Sequence, residues 1–307
     1  MIELFNIPNY TIDTSKFSHF LHGKNVTDFE NNFAKYVGAK HACGVSSATN
    51  AIFLIMLNKQ TTVNVPSLIP PVVLNAILTS GNKINFVDNV DWVGDSYVLH
   101  EFSDYKVVDS AQKVKKNQFK QECNENDLMF FSLYPTKPIG SCDGGIIVSD
   151  DEDKINWFRE ATLNGMSFAK NNWERKIKFA GYKMYLNSIQ ADIANRNFEI
   201  YEEKLKKLEK IRNFYNEQLN TSNTSDHLFR INVNERQRLI NILKENNISA
   251  GIHYSPSHLN TVYNTNKLNL PLSEKIAETT LSIPFHENLT EEDVLTVINK
   301  VNSFIIR

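Results

Sequence analysis

Short apolar runs alternate with helical stretches through the first two thirds of the chain. This alternation restricts the fold more than any other feature. The runs fall at residues 42–45, 62–65, 84–87, 106–108, 128–133 and 146–149. Helical patterns fill 27–37, about 50–57 and 72–79, with Gly38 and Gly81 near two of their ends. A glycine there supplies the left-handed backbone that closes a helix. Strands alternating with helices predict an α/β layer, a mostly parallel sheet sandwiched by helices. One interval is too short for that scheme. If 96–100 is a strand, the gap to Lys106 cannot hold the crossover of roughly a dozen residues that parallel neighbours need. A helix is then missing, and one edge or face of the sheet lies open.

The last third has a different pattern. Ile189, Ile193, Tyr201, Leu205, Leu208, Ile211, Tyr215 and Leu219 keep a roughly helical rhythm, which predicts one long amphipathic helix over 188–219. A strand at 228–233, a helix at 235–246 and a strand at 248–254 follow. A final helix starts at the N-cap residue Thr290, with acidic side chains in its first turn. The reading is a large domain over 1–187 and a small α+β C-terminal domain over 188–307. A length of 307 residues suits two domains at about 150 residues each.

Composition removes several classes of function. The formal net charge is −2, so the chain lacks the basic footprint of a nucleic-acid binder. Lys204 to Lys210 alternate with Glu and Leu, as on a solvated helix face. No apolar run approaches the ~20 residues that span a bilayer. The first nine residues lack the basic and apolar regions of a signal peptide, so a cytoplasmic protein is expected. Cys43, Cys123 and Cys142 make neither a disulfide framework nor a metal spacing, and His41, His253, His258 and His286 show none either, so no metal is expected. Neither a dinucleotide-binding glycine motif nor a P-loop is present.

Four segments carry chemistry-bearing residues. Ser46-Ser47-Ala48-Thr49 joins a strand to a helix, where backbone N–H groups and the helix dipole can hold an anion, although Ser and Thr there also serve as plain caps. Asp109 ends a strand, at the edge where α/β sheets bind ligands. Its carboxylate could keep a ring nitrogen protonated or simply cap the next turn. Lys137 lies just beyond an apolar strand. Desolvation would expose a nucleophilic amine there, whereas an ordinary lysine would face solvent. Gly181 to Asp192 is a loop leading into the long helix.

In this order and spacing, the segments resemble the DegT–StrS family of PLP-dependent sugar aminotransferases, which have the fold-type I, aspartate-aminotransferase-like architecture. Ser46-Ser47-Ala48-Thr49 matches the family's phosphate-binding turn, with Ala for Gly. Val65-Pro66-Ser67 with Asn75-Ala76-Ile77-Leu78, and Val108-Asp109-Ser110-Ala111-Gln112, match two further motifs. So do Phe131 through Lys137 with Asp143-Gly144-Gly145, Ile252 through Leu259 with Tyr263, and Ile283 through Val294. The resemblance covers nearly the whole chain.

The resemblance implies a role for each position. Lys137 would hold pyridoxal 5′-phosphate (PLP) as a Schiff base and shuttle protons. Asp109 would pair with the pyridine nitrogen and Gln112 with the phenolic oxygen. Ser132 and the backbone of Ala48 and Thr49 would hold the phosphate. His253, His258 and Tyr263 fall to the substrate side. The implied reaction moves an amine from glutamate to a nucleotide-linked keto-sugar, a 4-keto-6-deoxyhexose. Its product would be an amino sugar of the kind used in polysaccharide biosynthesis. Rival readings are a cyclitol or other small ketone as acceptor, or a non-catalytic PLP-binding regulator. Lys137, Asp109 and Gln112 argue against the regulator, and Lys137 against the related dehydratases, which carry histidine there.

The resemblance also implies a homodimer with active sites at the interface. Three departures stand out. Pro70 replaces the aromatic residue over the cofactor ring. Lys183 replaces an Asn that reaches the partner subunit's phosphate, and would pair with that phosphate as a full charge. The interval from Asp88 to Asp109 is far shorter than in the family.

Overall fold

The computed structural model describes residues 1–167, 172–263 and 268–305. From the N-terminus run α1 (Lys24–Val37), β1 (His41–Val45), α2 (Ala48–Met56), β2 (Thr62–Pro66), α3 (Pro71–Thr79), β3 (Lys83–Val87), β4 (Tyr97–Glu101) and β5 (Lys106–Asp109). They are followed by α4 (Gln118–Glu122), β6 (Leu128–Ser132), β7 (Gly145–Ser149) and α5 (Glu152–Thr162). In α1, Phe29, Phe33 and Val37 form one buried stripe, and Gly38 ends the helix at φ 83°. Ser47 caps α2 by accepting from the Asn50 N–H. The sequence reading passed over α5, although Asp151 caps it and Ile155, Phe158 and Ala161 line its buried side.

The central sheet has the order β1-β7-β6-β5-β4, and β2 and β3 form a parallel pair. Its helices make the expected α/β sandwich, but the sheet is mixed rather than mostly parallel. Only β5 and β6 run parallel within it. The β1–β7, β6–β7 and β4–β5 pairs are antiparallel. For β4 and β5 the cause is a short connection. Phe102 donates its N–H to the Tyr105 carbonyl at 2.8 Å and closes β4 and β5 into a hairpin, which no parallel pair could use. Val98 of β4 is exposed on one side of the sheet, while Leu99 is buried on the other.

Alternate residues serve two cores. Leu128 and Phe130 of β6 join Ile147 of β7 in a core roofed by α2, α3 and α5. Met129 and Phe131 join Ile146 and Val148 in a second core under α1. A strand covered on both faces reads as a continuous apolar run, which is why 128–133 shows no alternation in sequence.

The C-terminal part comprises α6 (Ser188–Glu199), α7 (Tyr201–Leu219), β8 (Phe229–Asn232), α8 (Arg236–Glu245), α9 (Pro271–Thr279), β9 (Thr280–Ile283) and α10 (Glu291–Ile305). The expected single long helix breaks at Ile200, whose ψ of 2° takes it out of the helical ladder. The two halves bury different faces. Ala191 and Ala194 of α6 and Tyr201 enter the second core, whereas Leu208, Tyr215 and Leu219 enter a third core with β8, β9 and α10. We propose that the two domains divide at the Asn187 capping box of α6, with α6 packing back against the sheet. Residues 248–254 do not form the expected strand. Ile248 bridges to Ile2 and Gly251 to Ser282, so the segment has no continuous ladder. Among the described residues no helix is long and apolar enough to cross a membrane.

Candidate active site

The pairing pattern points β1, β5 and β6 the same way, so their C-terminal ends meet at one edge of the sheet. Ligands bind at such edges in α/β folds. A cavity of about 520 Å³ opens there, and Ala48, Thr49, Asp109, Gln112, Ser132 and Lys137 all line it. These residues are far apart in sequence and were expected to act together.

Asp109 is the last residue of β5 and is buried. Its Oδ1 accepts the Ala111 N–H at 2.9 Å and its Oδ2 accepts the Tyr97 O–H at 3.2 Å. Burial pushes its carboxyl up to about 6, against the opposing pull of these donors and of Lys137. Lys137 follows β6 in a turn whose backbone N–H donates to the Tyr134 carbonyl at 2.9 Å. Burial lowers its ammonium to about 8, although the Asp109 charge pulls the other way. Such an amine has far more of its free-base form near neutral pH than an ordinary lysine, and that form can act as a nucleophile.

Gln112 has its amide orientation set by its surroundings. The Gly94 N–H can only donate, and it does so to Oε1 at 2.8 Å. Nε2 must therefore be the other atom, and it donates to the Tyr254 hydroxyl at 2.9 Å. Its second N–H remains for a ligand oxygen.

The first N–H groups of α2, at Ala48 and Thr49, have no intrahelical acceptor, and both residues line the cavity. Gly145 of β7 lies so close that a Cβ there would sit 2.7 Å from the Ala48 nitrogen. The turn is thus held against the strand, which fixes where its N–H groups point. Ser132 ends β6 beside it, and its Oγ accepts the Tyr134 N–H at 3.3 Å.

Pro70 lines the cavity at the start of α3 but offers no ring face. The aromatic surface comes from residues the sequence reading did not assign to the site. Trp92, in the shortened interval, stacks on Tyr254 at 6.0 Å with only 5° between the rings. Phe5 stacks on His227 at 5.5 Å. Phe5 and His227 lie outside the quoted motifs and carried no local signal. Tyr254 lay within one but was passed over for its neighbour.

The remaining expected residues separate. His253 does line the cavity, and its Nδ1 lies 2.8 Å from Ser282 Oγ. Burial and the nearby Lys137 and Arg230 charges lower it to about 4. His258 is not part of the lining. It is buried between Ser67 Oγ, at 2.6 Å from Nδ1, and Glu274, at 3.2 Å from Nε2, where it ties the end of β2 to α9. Tyr263 donates to Asn75 Oδ1 at 2.9 Å, outside the cavity. Lys183 is exposed and lies in a bridge to Leu163, also outside the cavity of its own chain.

A neutralisable buried lysine, a buried carboxylate, an oriented amide donor and an anion cradle meet the separate demands of PLP. The model of the DegT/DnrJ/EryC1/StrS aminotransferase family matches residues 6–95 and 106–302. The chain belongs to that family. The aminotransferase is 25 % identical over 341 residues to UDP-4-amino-4,6-dideoxy-N-acetyl-beta-L-altrosamine transaminase of Campylobacter jejuni, covering 92 % of this chain and 90 % of the relative. It is 26 % identical over 350 residues to the spore coat polysaccharide biosynthesis protein SpsC of Bacillus subtilis, covering 92 % and 90 %. Both alignments are longer than this chain, so the relatives carry residues that it lacks.

Among solved structures it resembles Helicobacter pylori PseC, an aminotransferase involved in the biosynthesis of pseudoaminic acid. The TM-score is 0.80, with 18 % identity, over 98 % of this chain and 99 % of that one. The PLP form of the Streptococcus pneumoniae sugar aminotransferase Spr1654 gives 0.79, with 18 % identity, over 97 % of each. The aminotransferase is PLP-dependent and has the fold-type I architecture. The family match skips residues 96–105, which are β4 and its hairpin.

Proposed function

We propose that this aminotransferase moves an amine from glutamate to a keto-sugar carried on a nucleotide, a 4-keto-6-deoxyhexose. The observation that carries the reading is the convergence of Lys137, Asp109, Gln112 and the α2 cradle on one cavity. The relatives named above, among them a UDP-linked amino-sugar transaminase, support the acceptor class. Bound PLP supplies an electron sink for charge developing at the donor's α-carbon. Asp109 holds a proton on the ring nitrogen, Gln112 donates to the phenolic oxygen, and Ser132 with the Ala48 and Thr49 N–H groups holds the phosphate. Lys137 moves the proton to and from the α-carbon. His253, neutral in its buried place, donates to or accepts from a hydroxyl of the acceptor.

The working unit we infer is a homodimer, in which Lys183 of one subunit meets the phosphate held by the other. We assign His258 and Tyr263 to shaping the substrate wall from behind, through Ser67 and Asn75. Cys43, Cys123 and Cys142 are all free, which fits a reducing, cytoplasmic setting. The deciding experiment incubates purified enzyme with glutamate and a panel of nucleotide-linked keto-sugars, with mass as the readout. A gain of one amino group on a 4-keto-6-deoxyhexose nucleotide, with 2-oxoglutarate released in equal amount, is expected. Amination of free ketones alone would reject the acceptor.

A further inference from the structure

The residues that the family match skips include Tyr97, the first residue of β4. The hairpin register pairs Tyr97 with Asp109, so the phenol emerges beside the carboxylate. Its O–H reaches Asp109 Oδ2 at 3.2 Å, while Oδ1 already accepts the Ala111 N–H. Trp92 packs on the Tyr97 ring at 4.7 Å and limits its swing. The same interval supplies Gly94, which orients Gln112. The trimmed segment therefore braces both polar side chains that the pyridine ring would meet.

A buried carboxylate tends to take up a proton, and a protonated carboxyl no longer offers a charged acceptor to a pyridinium N–H. The groups facing Asp109 are Lys137 from the turn after β6, Tyr254 from the C-terminal part and Tyr97 from β4. Lys137 favours the charged form by its own charge. That free ammonium no longer exists as such once its nitrogen is bonded to the cofactor. Burial pushes the Tyr254 phenol up, so it stays neutral. Tyr97 then supplies a hydrogen bond to the carboxylate that persists when Lys137 is engaged.

We propose that Tyr97 is a positioning residue for the cofactor, whose O–H keeps Asp109 charged and leaves the carboxylate set to accept from the pyridine N–H. This rests on the reading of the cavity as a PLP site. A donor to a charged group, once removed, moves the carboxylate up by about one pH unit. Asp109 starts at about 6, so Tyr97→Phe should carry its titration to about 7. Binding needs the ionised form, so affinity is lost as pH falls through these values, and earlier in the variant.

The test measures the PLP dissociation constant of apo wild type and Tyr97→Phe by absorbance across pH. The phenylalanine keeps the ring packing against Trp92. The cofactor's own ionisations and that of Lys137 are shared, so the ratio of the two constants isolates Asp109. We expect a ratio within about twofold of one above pH 8, rising towards tenfold below about pH 6. In an Asp109→Asn background the same comparison should be flat. A flat ratio between PLP-binding proteins, whether raised or near one, overturns the role of Tyr97 alone. So does a pH-dependent ratio that survives Asp109→Asn. Failure of the wild type to bind PLP removes the cofactor reading itself, and this inference with it.

Discussion

Lys137 and Asp109 act on each other across the cavity, and burial acts on both. Removal from water favours the neutral form of each, so the amine falls to about 8 and the carboxyl rises to about 6. Capture of PLP needs the free amine, which exists above the lysine's own titration. The rate of PLP uptake by apo-protein should therefore climb as pH rises and bend near 8. A solvent lysine would bend nearer 10.4, its ordinary value. Stopped-flow absorbance at a series of pH values reads this directly. Borohydride reduction should then remove the visible band and leave the label on the Lys137 peptide. A label on another lysine would reject the assignment.

At the scale of elements, the site depends on how close β7 comes to the start of α2. Gly145 is what permits that approach, because any Cβ would press on Ala48 and Ser47 backbone atoms at 2.7–2.9 Å. Backbone cannot swing aside as a side-chain tip can. Gly145→Ala should push α2 outward and cost about 1–3 kcal/mol, the usual range for overpacking a tight interior. The same shift moves the Ala48 and Thr49 N–H groups, so PLP retention should fall as well. Urea midpoints and dialysis against apo conditions measure the two effects. Unchanged midpoint and retention would show that the turn yields without consequence. The β4–β5 hairpin works at the same scale. It leaves Val98 exposed, brings Trp92 to the cavity wall, and sets Gly94 and Tyr97 against the lining residues Gln112 and Asp109.

Across the whole molecule, Lys183 gives the dimer reading a sharp test. It sits on the surface of its own chain. A lysine there could give a partner's phosphate a charge-assisted hydrogen bond, roughly twice as strong as a neutral one. Lys183→Ala should weaken PLP binding at low salt, and rising salt should bring the wild type towards the variant. Mixing Lys183→Ala subunits with Lys137→Ala subunits should restore one whole site per heterodimer, because both lesions then fall on the other. No recovery of activity on mixing, with heterodimers demonstrated, would place Lys183 outside the partner's site.

Local chemistry determined much of this protein before any tertiary contact was known. The large-domain strands, the Gly38 end of α1 and the Thr290 start of α10 follow from periodicity and capping, which act over one or two turns, whereas α4, α5, α9 and β9 gave no such reading. Lys137, Asp109, Gln112, Ser132 and the Ala48-Thr49 turn were legible because they lie at strand ends within recognisable motifs. The tertiary structure decided what depends on distant neighbours. Strand direction followed from which strands pair, and for β4 and β5 from a connection too short for a crossover, so the sheet is mixed. The break at Ile200 accompanies a change of core, from the one shared by α6 and the start of α7 to the one that takes Leu208, Tyr215 and Leu219, which one continuous rhythm does not reveal. Trp92, Tyr97 and His227 became part of the site or its support only when folding carried them there. His258 left it because Ser67 and Glu274 occupy both of its ring nitrogens.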